Sequence, residues 1–498
     1  MEYTSTRNNQ IRVTAAQAIA GGISPEGGLY VPTALPALTM EDIQALVPLS
    51  YKERATKVLS RFLTDFTAEE VEACCAAAYG ERFDTPAIAP MHDMGDGRYV
   101  LELWHGPTCA FKDMALQILP HLMRVSVGKT HPDEQIVILV ATSGDTGKAA
   151  LEGFRDAPNT RILVYYPAEG VSEMQRFQMI TQEGENVGVC AIGGNFDDAQ
   201  TGVKAIFTDD EVKAKLAENG MRFSSANSIN WGRLVPQIVY YISAYCDLLV
   251  ENKIATGESI NVVVPTGNFG NILACYYAKC MGLPVNKLIC ASNRNRILTD
   301  FFETGVYDCN RPFYTTTSPS MDILVSSNLE RLLYHLCGDN SEEISNLMTA
   351  LKNEKKYTVS DAVRTAVQEH FVGGSADDER VAQTIRSIYD ESGYLCDTHT
   401  AVAMAVYEDY RNQSGDNTVT VIASTASPFK FSPSILEALD ASLADTPYDQ
   451  LEDLQAFTGW KIPQSLLSLR DKAIRFTDVC ANDKASMQAT VYRMLNLD

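Results

Sequence analysis

The sequence predicts an α/β protein in which parallel sheets carry helices on both faces. Three observations predict it. From about residue 96 onward, short apolar strands alternate with helix-length runs, the rhythm of parallel strands joined by crossover helices. Two of the strand-to-helix turns are rich in glycine, SGDTG at 143–147 and PTGNFGN at 265–271, at the strand ends where doubly wound sheets collect ligands. At 498 residues the chain is also too long for one compact core, so two or three domains are expected.

Taken in order, the first ~95 residues read by periodicity as a small, mostly helical unit, with MEDIQALVPL and AEEVEACCAAAY as helices. GGISPEGGLYVP reads as a turn-rich hairpin or loop. HGPTCAFKDMALQ (105–117) then places Lys112 between an apolar turn and the helix-like run DMALQILPHLM. Ala115, Leu119, Leu122 and Met123 share one face of that run, and Pro120 kinks or ends it. QIVILVAT leads into SGDTGKAALEGF, RILVYYP into VSEMQRFQMITQEG, and NVGVCAIG into FDDAQTGVKAIFTD. SINVVVPTG leads into NFGNILACYYAKCMG, and KLICAS and TVTVIAST are further strands. The most apolar long segment, LVPQIVYYISAYCDLLV (234–250), carries Gln237, Ser243 and Asp247, so it reads as a buried helix and not a membrane span. From about residue 432 the chain is acidic and helical, with no chemistry legible in it.

A formal charge of −22 argues against nucleic acid or an anionic membrane as a partner, and requires any anionic ligand to be held by a locally positive site. The opening MEYTSTRNNQIRVTAAQ has no apolar signal core. Twelve cysteines without a CxxC, most of them inside apolar runs, read as reduced core residues of a cytoplasmic protein.

The two glycine turns each lead into a helix, whose first N–H groups are unpaired and whose dipole end is positive. Glycine lets such a backbone approach an oxyanion closely. Tight packing is the alternative use of those glycines, but two such turns in one chain, both rich in Ser, Thr or Asn, favour an anion-binding cleft. Neither turn is a Walker loop, and GNFGN lacks the dinucleotide spacing. For Lys112 two readings stand side by side. A lysine at an apolar edge loses proton affinity and becomes a nucleophilic amine, or it snorkels, burying its stem and wetting its head.

HGPTCAFKDMALQ, ATSGDTGKAA, NSINWGR, PTGNFGN, SPSMDIL, DTHTAVA and STASPFKF lie in the order and spacing of threonine synthase, and GGISPEGGLYVP resembles that family's opening. The resemblance runs from about residue 3 to about 431 and is to the longer form, with an extra N-terminal domain. It implies the fold type II scaffold of pyridoxal 5′-phosphate (PLP) enzymes: two parallel-sheet αβα domains, a mostly helical N-terminal domain and a helical C-terminal tail. The implied division is 1–95 for the N-terminal domain, 96–130 with 241–431 for a large PLP-binding domain, 131–240 for a smaller substrate domain, and 432–498 for the extension.

By the same resemblance Lys112 is the Schiff-base lysine, Gly267, Asn268, Phe269, Gly270 and Asn271 cradle the PLP phosphate, and Thr425 meets the pyridine nitrogen. The implied reaction takes O-phospho-L-homoserine and water to L-threonine and phosphate. Ser143, Gly144, Asp145 and Thr146 are then expected near the substrate carboxylate. Asp145 is out of place beside an anion, so it is expected to orient the loop or meet the substrate ammonium. Asn227, Ser228, Asn230 and Arg233 are expected near the substrate phosphate, Arg233 because a guanidinium fork grips phosphate with two bonds. Lys148 is a weaker candidate for the same anion.

Other residues attract plainer readings. His399 with Cys396 and Asp397 fits no standard zinc spacing, so no metal is expected, and Asp397 or Thr398 is read as a helix cap. His105 reads as a turn residue shaping the Lys112 loop. Ser320, Met321 and Asp322 line the cleft by resemblance alone, and Cys109 has no assigned role. Three alternatives remain: a PLP-dependent phospho-lyase releasing 2-oxobutyrate from O-phosphohomoserine, a serine or threonine dehydratase, and a non-catalytic binding protein. The oligomeric state, monomer or homodimer, is left open by the sequence.

Overall fold

A computed structural model describes residues 1–142, 144–169 and 171–497. The chain opens with a small antiparallel sheet, order β2-β1-β3, made of β1 (Tyr3–Ser5), β2 (Asn8–Val13) and β3 (Tyr30–Pro32). The N-terminal region is mostly helical as expected, and this sheet is an addition to it. The three strands are short, and their alternation is carried by polar residues such as NNQIRV, which apolar periodicity misses. The helices Met40–Leu46 and Ala68–Ala78 do form, each started by a capping box, at Thr39 and Thr67. GGISPEGGLYVP is a loop, not a hairpin: it turns at 24–28, where Ser24 N–H donates to Gly28 O (3.0 Å), and then enters β3.

The next strands are β4 (Met91–Gly95), β5 (Arg98–Glu102), β6 (Gln135–Ala141), β7 (Thr160–Pro167), β8 (Val187–Ile192) and β9 (Met221–Ser224). After them come β10 (Ile260–Pro265), β11 (Val285–Ser292), the paired β12 (Val306–Asp308) and β13 (Lys356–Thr358), β14 (Phe371–Ser375), β15 (Thr420–Ser424) and β16 (Val479–Cys480). They assemble into a six-stranded sheet, order β14-β11-β10-β15-β5-β4, and a five-stranded sheet, order β16-β8-β7-β6-β9. Every pairing in both sheets is parallel except β4 with β5. β10 and β15 are buried at every position, as strands covered by helices on both faces must be.

Three expected boundaries fall elsewhere. The N-terminal limit at 95 cuts the β4–β5 hairpin, whose two strands share one sheet. The limit at 240 cuts the continuous helix Trp231–Val250, buried along most of its length and carrying Pro236 inside it. The tail after 432 is helical but also supplies β16, which adds to the free edge of β8. Its last helix, Lys484–Leu495, packs on the smaller domain, and Tyr165 Oη donates to Met487 O (2.7 Å). An extension that completes a sheet edge is part of the domain it covers.

The run DMALQILPHLM is two helices, Asp113–Leu116 and Leu119–Thr130, with Pro120 in the first turn of the second, where its missing N–H costs nothing. Ala115, Leu119, Leu122 and Met123 are all buried. The twelve thiols are all free, and eight are buried. No helix among the described residues is long and apolar enough to cross a membrane.

Candidate active site

A cavity of ≈ 1460 Å³ opens at the strand ends, lined by Lys112, Asp145, Thr146, Arg233, the 267–271 turn and Thr425. Lys112 is brought there by a knotted turn. Asp113 accepts from both the backbone N–H and the hydroxyl of Thr108 (2.8 Å each), and Gly106 passes so close to Asp113 that a Cβ there would stand 2.5 Å from Asp113 Cβ. Phe111 N–H donates to Thr425 O (2.8 Å), tying the turn to the end of β15. The Lys112 side chain is 11% exposed, so the snorkelling alternative fails: its head is sheltered along with its stem. Nζ donates to Ser320 Oγ (3.3 Å) and lies 3.8 Å from Asp145 Oδ2. Burial pulls its pKa down to about 8 although Asp145 opposes it, and Lys430 and Arg233 add to the lowering.

Asp145 does not wait for a substrate ammonium. Its Oδ1 is in an ion pair with Lys430 Nζ (2.5 Å) and accepts from Gln175 Nε2 (3.0 Å). Burial would raise its pKa, but Lys430, Lys112 and these hydrogen bonds hold it below the usual carboxylate range. Gly144 takes φ +146°, a conformation that glycine alone accepts readily. Its N–H is already held by Thr142 Oγ1 (3.0 Å), and it does not line the cavity, whereas Thr146 does. Ser143 lies outside the described residues.

The 267–271 turn is built for close approach. A Cβ at Gly267 would meet Ser320 O at 2.6 Å. Phe269, left-handed at φ 64°, buries its ring against Phe302 and Phe371 and so offers only backbone to the cavity. The helix Gly270–Met281 begins with no side-chain cap and no acidic residue in its first turn, which leaves its first N–H groups open to an anion. Asn268 is exposed, and its carbonyl is fixed by Asn328 N–H (3.1 Å) and Nδ2 (3.0 Å). Asn271 Oδ1 accepts from both Tyr240 and Tyr241, while its buried Nδ2 has no partner among the described residues.

The 227–233 segment divides. Asn227, Ser228 and Arg233 line the cavity. Asn230 does not, which corrects its expected role at the substrate phosphate. It caps the helix Trp231–Val250 by accepting from Gly232 N–H (2.8 Å), and donates to Ile19 O and Ser225 O. It thus ties the N-terminal helix Ala15–Gly21 to the rim of the site. Among the described residues Arg233 has no carboxylate partner and its Nε has no hydrogen-bond partner; its Nη1 donates to Ala226 O, and burial lowers its pKa to about 10. Lys148 is also misplaced as an anion ligand. Buried, it pairs with Glu152 (3.2 Å) and donates to Gln182 (2.5 Å), away from the cavity.

Asp397 caps the helix Thr398–Ser414 and accepts from His399 Nδ1 (2.7 Å), while His399 Nε2 accepts the Ser320 N–H (3.1 Å). His399 therefore fixes the 318–322 segment behind Lys112. Ser320, Met321 and Asp322 all line the cavity. His105 lies between Asp84 (2.6 Å) and Glu102 (2.9 Å); burial opposes its charge, but these two bonds raise its pKa to about 9. Cys109 sits at φ 57° with its Sγ against Ser465 Oγ (3.2 Å). Sequence reasoning missed Lys430, although its signal is visible: a lysine between two phenylalanines in PFKF has no route to water.

The residues present fit PLP. They offer a sheltered amine at Lys112, a backbone cradle with no room for a Cβ, and a buried amide donor on Asn271 without a partner among the described residues. The comparisons agree. The family described as threonine synthase N terminus matches residues 2–79, that of pyridoxal-phosphate dependent enzymes 87–425, and that of threonine synthase, C-terminal, 400–491. Threonine synthase of Pseudomonas aeruginosa is 41% identical over 453 residues, covering 89% of this chain and 93% of that protein. Threonine synthase-like 1 of Homo sapiens is 38% identical over 493 residues, 96% of this chain, and this chain spans 66% of that protein's length. Among solved structures, PLP-bound threonine synthase from Brucella melitensis superposes with a TM-score of 0.88 at 36% identity, over 99% of both chains. Threonine synthase from yeast gives 0.89 at 30%, over 99% of both chains.

Proposed function

The chain belongs to the threonine synthase family of pyridoxal-phosphate-dependent enzymes, and on that premise we propose that it converts O-phospho-L-homoserine and water into L-threonine and phosphate. The observation that supports this reading is the Arg233 guanidinium, which has no carboxylate partner among the described residues and lines the same cavity as the Lys112 amine. A buried cation that the fold leaves without a counter-charge is costly, and a substrate phosphate supplies that charge with two charge-assisted bonds.

The residues divide the work by chemistry. The backbone of 267–271 and the Asn271 amide would hold the cofactor phosphate, and Thr425 would offer a neutral hydroxyl, not a carboxylate, to the ring nitrogen. Bound there, PLP supplies an electron sink for the bond broken next to the substrate amine. Lys112, uncharged at mildly basic pH, takes the proton from the substrate α-carbon. Ser320 Oγ holds the amine at the cavity wall, and His399 fixes Ser320 from behind. Thr146, Asn227 and Ser228 complete the substrate's polar surroundings, and Ser143 belongs to the same proposed carboxylate loop. The reaction is that of a carbon–oxygen lyase acting on phosphates, and a cytoplasmic location and a homodimer or monomer are compatible with it.

The test is to incubate the PLP-loaded protein with O-phospho-L-homoserine and identify the organic product beside released phosphate. Threonine is the expected product. Phosphate with 2-oxobutyrate would keep the site and refute the synthase reading, and no phosphate release would refute the substrate.

A further inference from the structure

Lys430 stands out among buried groups that the proposed reaction does not use. It lies in the short turn of helix Pro428–Phe431, just after β15, and its side chain is wholly buried. Its Nζ donates to Thr108 O (3.0 Å), in the turn that carries Lys112, and pairs with Asp145 Oδ1 (2.5 Å), at the start of the helix Asp145–Phe154 beside the smaller sheet. The other oxygen of the same carboxylate is the one 3.8 Å from Lys112 Nζ. One carboxylate is therefore shared by two lysines, and the closer one has it.

We propose that Lys430 is a positioning residue for Lys112: it occupies the Asp145 carboxylate and thereby denies Lys112 the close ion pair that would keep its amine protonated. This rests on reading Lys112 as the proton-accepting amine. Among the described residues, four charged groups act most on Lys112. Asp145 comes from the helix 145–154, Arg233 from the helix 231–250, Lys430 from the turn after β15, and Asp113 from its own segment. Lys430 in turn faces Asp145, Asp113 and Cys109. Asp113 is committed to Thr108, so Asp145 is the acid within reach of Lys112, and its orientation decides the outcome. A neutral residue at 430 removes one neighbouring positive charge and frees the carboxylate to swing to Lys112. Both changes favour the protonated amine.

The readout is the ionisation of Lys112 itself. Full-length protein freed of cofactor is labelled with trace acetic anhydride across pH, and mass spectrometry follows the peptide containing Lys112. Lys430→Met is expected to move the midpoint upward by about one pH unit or more, with Lys430→Arg leaving it near wild type. The acid limb of turnover should shift in the same direction. A folded K430M with an unmoved Lys112 midpoint overturns the proposal, whatever its activity. If K430M does not fold, Asp145→Asn decides: it removes the carboxylate while keeping the Lys430 charge, so the midpoint must fall, and an unchanged midpoint refutes the shared-carboxylate arrangement. Because the labelling involves no substrate, a shifted midpoint with no turnover of O-phospho-L-homoserine would sink the substrate assignment and leave the role of Lys430 intact.

Discussion

Replacing Gly267 by alanine adds one methyl group to the wall of the cofactor cradle, and its cost can be worked from the geometry. The new Cβ would lie 2.6 Å from the Ser320 carbonyl oxygen and 3.4 Å from Met321 Cα. Both are backbone, so no flexible side-chain end can yield, and the 318–322 segment itself must retreat by most of an ångström. That segment is anchored behind by the Ser320 N–H to His399 and in front by Ser320 Oγ to Lys112. Overpacking of this kind costs about 1–3 kcal/mol, and where the strain is relieved only by opening the cradle it should weaken PLP binding about 5- to 150-fold. The assay is a titration of the cofactor-free variant with PLP, read by the absorbance of the bound cofactor, beside a thermal midpoint without cofactor. The expected pattern is a large loss in affinity with a small loss in stability. If G267A bound PLP as tightly as wild type, the 267–271 turn would not be the cradle.

Arg233→Met should raise the KM for O-phospho-L-homoserine about 30-fold or more without lowering the thermal midpoint, because among the described residues that guanidinium has no carboxylate partner and its Nε no hydrogen bond. Asn230→Ala should do the reverse: losing a helix cap and two donated bonds costs on the order of 1–3 kcal/mol of stability, with KM little changed, and a large KM effect would return Asn230 to the substrate. His105 has a pKa raised to about 9, so its ion pairs stabilise the fold fully below its unfolded pKa of about 6.5 and lose that contribution as pH rises through about 9. The stability difference between wild type and His105→Gln should therefore be largest near pH 6, on the order of 1–2 kcal/mol after allowing for the exposure of Asp84, and vanish above pH 9; a difference that stayed flat with pH would show that packing on Trp104 is all His105 contributes.

Local pattern alone determined a good deal here. Continuous apolar runs such as INVVV and TVIAS have one stable use, a strand covered on both faces, so the parallel sheets were legible, and so were the two glycine turns at their ends. HGPTCAFKD singled out Lys112 because a lysine beside such a turn is out of place without a task. The N-terminal sheet was not legible, since its short polar strands gain their burial from partners distant in sequence. Nor was the tail's edge strand, which is a strand only because β8 has a free edge to pair with. Within NSINWGR, residue type could not say which side chains face the ligand: Asn230 turns inward to Ile19 O, from a helix more than two hundred residues earlier, and Arg233 stays in the cavity. The ionisation of Lys112 was beyond local reading for the same reason. It depends on Asp145 and on Lys430, residues that lie 33 and 318 positions further along the chain, and electrostatic energy depends on distance in space, which only the folded chain sets.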